Sequence, residues 1–305
     1  MVEEVARFQP RPILVISGGD PFMRPDLFEV AAHAVSLGLR TSLSPSVTAL
    51  MTPERLTRAY QAGIRHISLS LDGATAEVHD GFRGVRGSFH KTLWAVQAAR
   101  QAGLTVQINT TVNRWNVGQL HTLADLVAGS GAVLWDLFFL VPTGRARRED
   151  VLSAEEHEDA YRWIHDFARS AAIRVKTTLG QPSRRVAIQS AAPDHAEAAL
   201  GPTTNDGKGV CFVSHLGEVY PSGFLSVCCG NVRKDSLVQV YRTHSVFLAL
   251  RDSSRLKGKC GACPFNNVCG GCRARAYAMT GDYLAADPTC LYHATSGNEA
   301  GSLRV

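Results

Sequence analysis

Cysteines are the residues of this chain best suited to chemistry. All eight lie between Cys211 and Cys290, and residues 1–210 have none. The densest stretch reads Cys260-Gly261-Ala262-Cys263-Pro264-Phe265-Asn266-Asn267-Val268-Cys269-Gly270-Gly271-Cys272, and Cys290 follows. Thiolates spaced Cys-x2-Cys-x5-Cys can converge on one centre, because short loops of small residues let several sulfurs point inward. Gly270 and Gly271 supply backbone angles that other residues avoid. Such a centre is either an iron–sulfur cluster or zinc.

A second set of candidates is spread through the first half. Gly18-Gly19 would let a backbone approach a ligand closely, and the Asp20 carboxylate could accept from an ammonium group. The plain alternative is a strand-to-helix turn with Asp20 as its cap. Arg83 carries a guanidinium that suits a carboxylate bidentately, or it forms a surface ion pair. Ser70 and Asp72 fall at the end of an expected strand, where a simple turn is the competing reading. Asn109 and Thr111 share one side of theirs, since side chains alternate. His79 and the other histidines show no ligand spacing, which favours ordinary hydrogen-bonded roles.

These residues are carried by a strand–helix rhythm. Ile13–Ser17 is a short apolar run stopped by Gly18-Gly19, as for a buried strand. A helix over Asp26–Leu37 follows, with Gly38 as its stop. Strands are expected at Leu39–Ser44, His66–Leu71, Thr105–Val112 and Val133–Val141. Helices are expected from Thr52, with Pro53 at its first position, over Ser88–Ala102, near Gly118–Ser130, and from the capping box at Ser153 to about Ala171. Ile173–Thr178 reads as a further strand and Pro182–Leu200 as helical up to Pro193. Residues Pro202–Gly209 read as a loop, Val210–His215 with Glu218–Pro221 as a hairpin, and Leu237–Leu250 as one helix. Alternating strands and helices imply a parallel sheet with right-handed crossovers, and the fold class is α/β with a partial (β/α) barrel. Ligands in such folds sit at the C-terminal strand ends. Those ends hold Gly18-Gly19-Asp20, Ser44, Ser70-Leu71-Asp72-Gly73 and Asn109-Thr110-Thr111, all but Leu71 small or polar.

Composition narrows the classes. A chain of 305 residues can bury a large core in one or two domains. The net charge of +5 comes from 32 basic and 27 acidic residues, too mild and scattered to argue for nucleic acid. No apolar run reaches the roughly 20 residues of a membrane span, and the N-terminus lacks a signal-peptide pattern. A cytoplasmic protein is expected, where clustered cysteines mean metal or redox chemistry more often than disulfides.

Taken together, Ser17-Gly18-Gly19-Asp20-Pro21, Ser70-Leu71-Asp72-Gly73 with His79-Asp80 and Arg83-Gly84, Asn109-Thr110-Thr111-Val112 and the cysteine tail resemble the radical S-adenosylmethionine superfamily. The resemblance is to its branch with a C-terminal SPASM or twitch extension, nearest the tetrapyrrole (haem-pathway) and peptide-modifying members. It implies a barrel over 1–180 and a SPASM/twitch iron–sulfur domain over 181–305. It also implies that Gly18, Gly19, Asp20, Ser70, Asp72, Arg83 and Asn109 contact S-adenosylmethionine or substrate. Cys260, Cys263, Cys269 and Cys290 would bind an auxiliary 4Fe–4S cluster. A second cluster would fall to Cys272 with Cys211 and Cys228 or Cys229. Two departures weigh against it: Cys272 follows Cys269 by one residue fewer than usual, and Ser222 stands where a cysteine is common. Zinc remains the competing occupant of the tail.

The superfamily's own Cys-x3-Cys-x2-Cys motif is missing. Residues 2–8 read as the end of a helix, so the chain is read as N-terminally truncated, or as a degenerate relative. Without that motif no electron path reaches the sulfonium, and no catalytic residue is assigned. The expected function is radical modification of a peptide or tetrapyrrole-like small molecule, with an electron-donor protein as partner and with this chain inactive by itself. The alternatives are a non-catalytic iron–sulfur carrier or substrate-binding partner, and a zinc-stapled interaction module. Loss of the neighbouring strand would leave Ile13–Ser17 as an apolar sheet edge prone to association.

Overall fold

The computed structural model describes residues 1–191 and 203–294. Apolar runs bounded by glycine and proline give six short strands: β1 (Ile13–Ile16), β2 (Arg40–Leu43), β3 (His66–Ser70), β4 (Thr105–Val112), β5 (Leu134–Phe139) and β6 (Arg174–Thr178). They form one parallel sheet in the order β1-β2-β3-β4-β5-β6. Helices cross between them: α2 (Leu27–Ser36), α3 (Pro53–Gln61), α4 (Ala76–Arg83), α5 (Ser88–Gln101), α6 (Leu120–Ser130) and α7 (Ala154–Ser170). A short α1 (Val2–Ala6) precedes β1, and α8 (Pro182–Ser190) follows β6. Sequential parallel order with helices on one face is the half-barrel that the rhythm predicts.

Alternation divides each strand between two environments. In β4, Val106, Ile108, Thr110 and Val112 are buried under the helices, whereas Gln107, Asn109 and Thr111 face the open side of the sheet. Leu69, Ile108, Leu137 and Trp135 join α3, α5, α6 and α7 in one core. Trp135 Nε1 donates to Thr110 Oγ1 at 2.8 Å, so even the buried threonine is satisfied.

The cysteine-rich half forms a small antiparallel sheet of β7 (Phe212–Val213), β8 (Glu218–Tyr220) and β9 (Gly230–Asn231), followed by α9 (Leu237–Thr243), α10 (Ser245–Arg251), α11 (Gly258–Gly261) and α12 (Arg273–Thr280). The expected hairpin thus gains a third strand. The single helix expected over Leu237–Leu250 breaks at His244, whose extended backbone and Nδ1 cap α10 by accepting from Val246 N. The sequence reading missed α4 and α12. The first is short and polar, with Gly81 inside it. The second carries Arg273 and Arg275, whose side chains are buried. The helix expected from Pro182 up to Pro193 is seen over Pro182–Ser190; the rest of that reading, residues 192–200, lies outside the described residues. Residues Asn205 and Lys208 bridge within the expected loop.

The two halves touch through α1 and the end of β6. Ser236 Oγ donates to Glu4 Oε2 at 2.6 Å, and Phe8 meets the Tyr241 ring edge-on at 5.4 Å. Among the described residues no helix is long and apolar enough to cross a membrane.

Candidate metal centre and ligand corner

Local backbone geometry gathers four of the eight thiols. Cys260 sits on α11. Cys263 and Cys269 bracket a tight turn in which Cys269 N donates to Phe265 O at 2.8 Å. Gly270 and Gly271 both take φ of 66°, a left-handed conformation that turns the chain back under Cys260. A Cβ at Gly271 would come within 2.6 Å of the Arg273 guanidinium and 3.1 Å of Cys260 Sγ, so no larger residue fits. Cys290 returns on the last described segment, where Lys259 Nζ donates to its carbonyl. Cys260, Cys263, Cys269 and Cys290 line one cavity together with Arg185 and Tyr292.

All eight thiols are free of disulfides. Burial pushes the Cys263, Cys269 and Cys290 thiols up; nearby backbone N–H groups and, for Cys263 and Cys290, the Arg185 guanidinium work against it. Coordination to a metal is the ordinary way to hold such thiols as thiolates. Four cysteines lining one cavity are a donor set for an iron–sulfur cluster or for zinc.

The remaining cysteines are placed differently. Cys272 packs with Leu225, Leu250 and Ala274, and its thiol, pushed up to about 12 by burial, caps α12 by accepting from Arg275 N at 3.4 Å. Cys229 lies in another apolar cluster, with Val219 and Phe247, against which Cys211 packs, while Cys228 is exposed. The Ser222 hydroxyl is buried and donates to Asp206 Oδ1; Asp206 Oδ2 in turn accepts from Ala274 N at 2.8 Å. That position therefore helps start α12.

Buried charges frame the cavity, and sequence reasoning missed them. The Arg275–Asp287 pair, 3.0 Å apart, is fully buried. Asp287 Oδ2 accepts from Cys272 N at 2.9 Å, and Asp287 N donates to Cys260 Sγ at 3.4 Å. Burial alone would raise the Asp287 carboxyl, but Arg275 holds it well below the usual carboxylate range. Arg275 also donates to Leu179 O, just beyond β6. On the other side, Arg185 of α8 pairs with Glu158 of α7, both nearly inaccessible.

The second candidate group lies along the C-terminal ends of β1, β3 and β4. Gly18 has φ of 138°, and a Cβ on Gly18 or Gly19 would meet nothing within 4 Å, so this corner is open. Asp20 caps the turn Pro21–Met23: Oδ1 accepts from Phe22 N at 3.1 Å and Oδ2 from Thr48 Oγ1 at 2.6 Å. Asp72 is fully buried. Its Oδ1 accepts from Thr111 N and its Oδ2 pairs with Arg83 Nε, both at 2.6 Å. The carboxylate that Arg83 meets is thus internal. His79 Nδ1 accepts from Asp72 N at 2.9 Å, and burial lowers its basicity. Ser70 and Asn109 are partners in register, and Asn109 faces Asp136 in turn. The fully buried Asp136 accepts from Thr178 at 2.8 Å and pairs with Lys176 at 2.9 Å. The signal for that acid was present: one aspartate inside the apolar run Leu134-Trp135-Asp136-Leu137-Phe138-Phe139.

Comparison with known proteins adds a lineage. Residues 1–127 match the family profile of the Radical SAM superfamily. The chain is 40% identical over 299 residues to the AdoMet-dependent heme synthase of Methanosarcina barkeri (strain Fusaro / DSM 804), covering 95% of this chain and 85% of that protein. It is 30% identical to the PqqA peptide cyclase of Methylocella silvestris (strain DSM 15510 / CIP 108128 / LMG 27833 / NCIMB 13906 / BL2), over 90% of this chain and 73% of the cyclase. The crystal structure of Streptococcus suis SuiB bound to S-adenosylmethionine shares the fold, with a TM-score of 0.69 at 15% identity over 95% of this chain and 70% of that one.

Proposed function

From the premise that this chain belongs to the radical S-adenosylmethionine superfamily, in its SPASM-type branch, we propose that it serves radical modification of a tetrapyrrole. In this reading Cys260, Cys263, Cys269 and Cys290 hold one auxiliary 4Fe–4S cluster. The single observation that carries it is the cavity those four thiols line beside a half-barrel. The identity of 40% to a heme synthase, against 30% to a peptide cyclase, favours a tetrapyrrole over a peptide. Residues 1–180 would serve as the cofactor-binding unit and 181–305 as the cluster unit, with α8 as the joint, since Arg185 pairs with α7. An electron-donor protein and a cytoplasmic setting belong to the same reading.

S-adenosylmethionine bound at the superfamily's own cluster supplies the radical chemistry of these enzymes. Residues 1–210 contain no cysteine and so offer no thiols to that cluster. The open Gly18-Gly19 corner fits close approach of a ligand to the backbone. Asp20 shapes that corner, since both its oxygens are engaged within it. Ser70 and Asn109 offer a hydroxyl and an amide on the open face. Asp72 acts by position, fixing Arg83 and the end of β4. The second reading is a non-catalytic iron–sulfur carrier or substrate-binding partner.

Anaerobic titration of the iron-loaded protein with S-adenosylmethionine and with a carboxylated iron porphyrin tests the reading. Saturable binding of both, the second seen as a Soret shift, is the expected result. Binding of neither by a protein that has taken up iron and sulfide leaves the carrier reading. Residues 1–305 by themselves are expected to release no 5′-deoxyadenosine, and its release would mean that residues other than cysteines of the first 210 hold the radical-generating centre.

A further inference from the structure

Arg185 has a donor that the protein leaves unused. Its side chain is 4% exposed. Nη1 donates to Glu158 Oε1 at 3.1 Å and to Gln189 Oε1 at 2.6 Å, and Nη2 donates to Glu158 Oε2. Its Cζ lies 5.1 Å from the centre of the Tyr292 ring. Nε, by contrast, is buried with no partner among the described residues. A buried N–H without an acceptor is costly, and native proteins rarely tolerate one. The same side chain lines the cavity of Cys260, Cys263, Cys269 and Cys290. The acceptors that belong in that cavity are sulfurs.

We infer that Arg185 is a positioning residue for the auxiliary cluster, donating from Nε to a cluster or cysteine sulfur and raising the cluster's reduction potential. The inference rests on the cluster reading above. Reduction adds one negative charge to a centre already anionic, so an adjacent cation and an N–H to sulfur favour the reduced form. Glu158 and Gln189 hold the Nη groups, which fixes where Nε points. Glu158 also balances the charge, leaving an ion pair whose positive end is at the cavity. Lysine could supply the charge but not a pinned planar fork.

The test uses the full chain, reconstituted anaerobically with iron and sulfide, as wild type, Arg185→Gln, Arg185→Lys and the double variant Glu158→Gln/Arg185→Gln. The double variant leaves no unpaired buried carboxylate, so it guards against simple misfolding. The readouts are iron and sulfide content and the midpoint potential from an EPR-monitored redox titration. With the cluster retained, Arg185→Gln is expected to lower the reduced-to-oxidised ratio at the wild-type midpoint at least tenfold, about 59 mV for one electron. Arg185→Lys should fall between it and wild type, and the double variant should shift less than Arg185→Gln because it also removes the Glu158 charge. Equal midpoints in variants that keep the cluster would overturn the inference while leaving the cluster reading intact. A wild-type chain that takes up no iron and sulfide would overturn both.

Discussion

His157 lies against Phe139, with ring centres 5.5 Å apart, and its Nδ1 donates to Ser153 O at 2.8 Å. Burial, helped by repulsion from Arg275, lowers its pKa to about 4. The unfolded chain would protonate this imidazole near pH 6.5, and the folded protein only near 4. The unfolded state therefore binds the extra proton between those values. The neutral histidine's contribution to stability is complete above about pH 6.5 and is lost as pH falls toward 4. The size is on the order of 3 kcal/mol. Urea unfolding at pH 7.5 and 4.5 should show a larger acid loss in wild type than in His157→Phe; equal losses would contradict the assignment. At this scale the sequence was legible where chemistry depends on spacing along the chain. Cys260, Cys263 and Cys269 could be read that way because three sulfurs in a short loop have few places to go. The internal partners of Arg83 and Asp20 could not, because folding alone decides which acceptor a side chain meets. Asp136 and Lys176 were missed for the same reason: strand register, not sequence proximity, makes them neighbours.

Helix α12 shows how an element is fixed by charges that its own sequence does not explain. Arg275 reaches from α12 to Asp287, just before Cys290, and to the Leu179 carbonyl beyond β6. Arg275→Met would strand the Asp287 carboxylate in a fully buried site. Loss of one partner of such a pair costs about 3–5 kcal/mol, which denaturant unfolding can measure. A loss below about 1 kcal/mol would mean that water relieves the acid. A second element-level test concerns how α4 docks on the end of β3. A Cβ at Gly73 would stand 2.5 Å from the His79 backbone nitrogen. Gly73→Ala should therefore cost about 1–3 kcal/mol through overpacking, whereas Gly118→Ala, with open space around it, should cost far less. Strands and long helices were legible because their periods repeat. The break at His244 and the short α4 and α12 were not, because capping and tertiary contacts outweigh local pattern over only two turns.

The whole molecule is a half-barrel joined to a cysteine-rich unit through α1, α8 and Arg275. Its exposed flank is β1, at the end of the described sheet, with Ile13 and Val15 about half accessible at 52% and 53%. An apolar edge of this kind invites pairing. Light scattering should show concentration-dependent association that Val15→Lys reduces; a monodisperse wild-type monomer across the range would contradict this. The architecture was legible because the alternation of strands and helices admits few arrangements, and the cysteine tail stood out because five of the eight thiols fall in Cys260–Cys290 and none precedes Cys211. The seating of Cys211, Cys229 and Cys272 in apolar packing was not legible, since a cysteine reads alike as ligand or as core. The proposed cluster of Cys260, Cys263, Cys269 and Cys290 can be read out chemically. Iron and sulfide analysis with Mössbauer spectra of the anaerobically reconstituted chain tests it most directly. About four iron and four sulfide per chain are expected in wild type and Cys228→Ala, with loss of the cluster in Cys263→Ala. One zinc without sulfide, or equal loss in both variants, would contradict it.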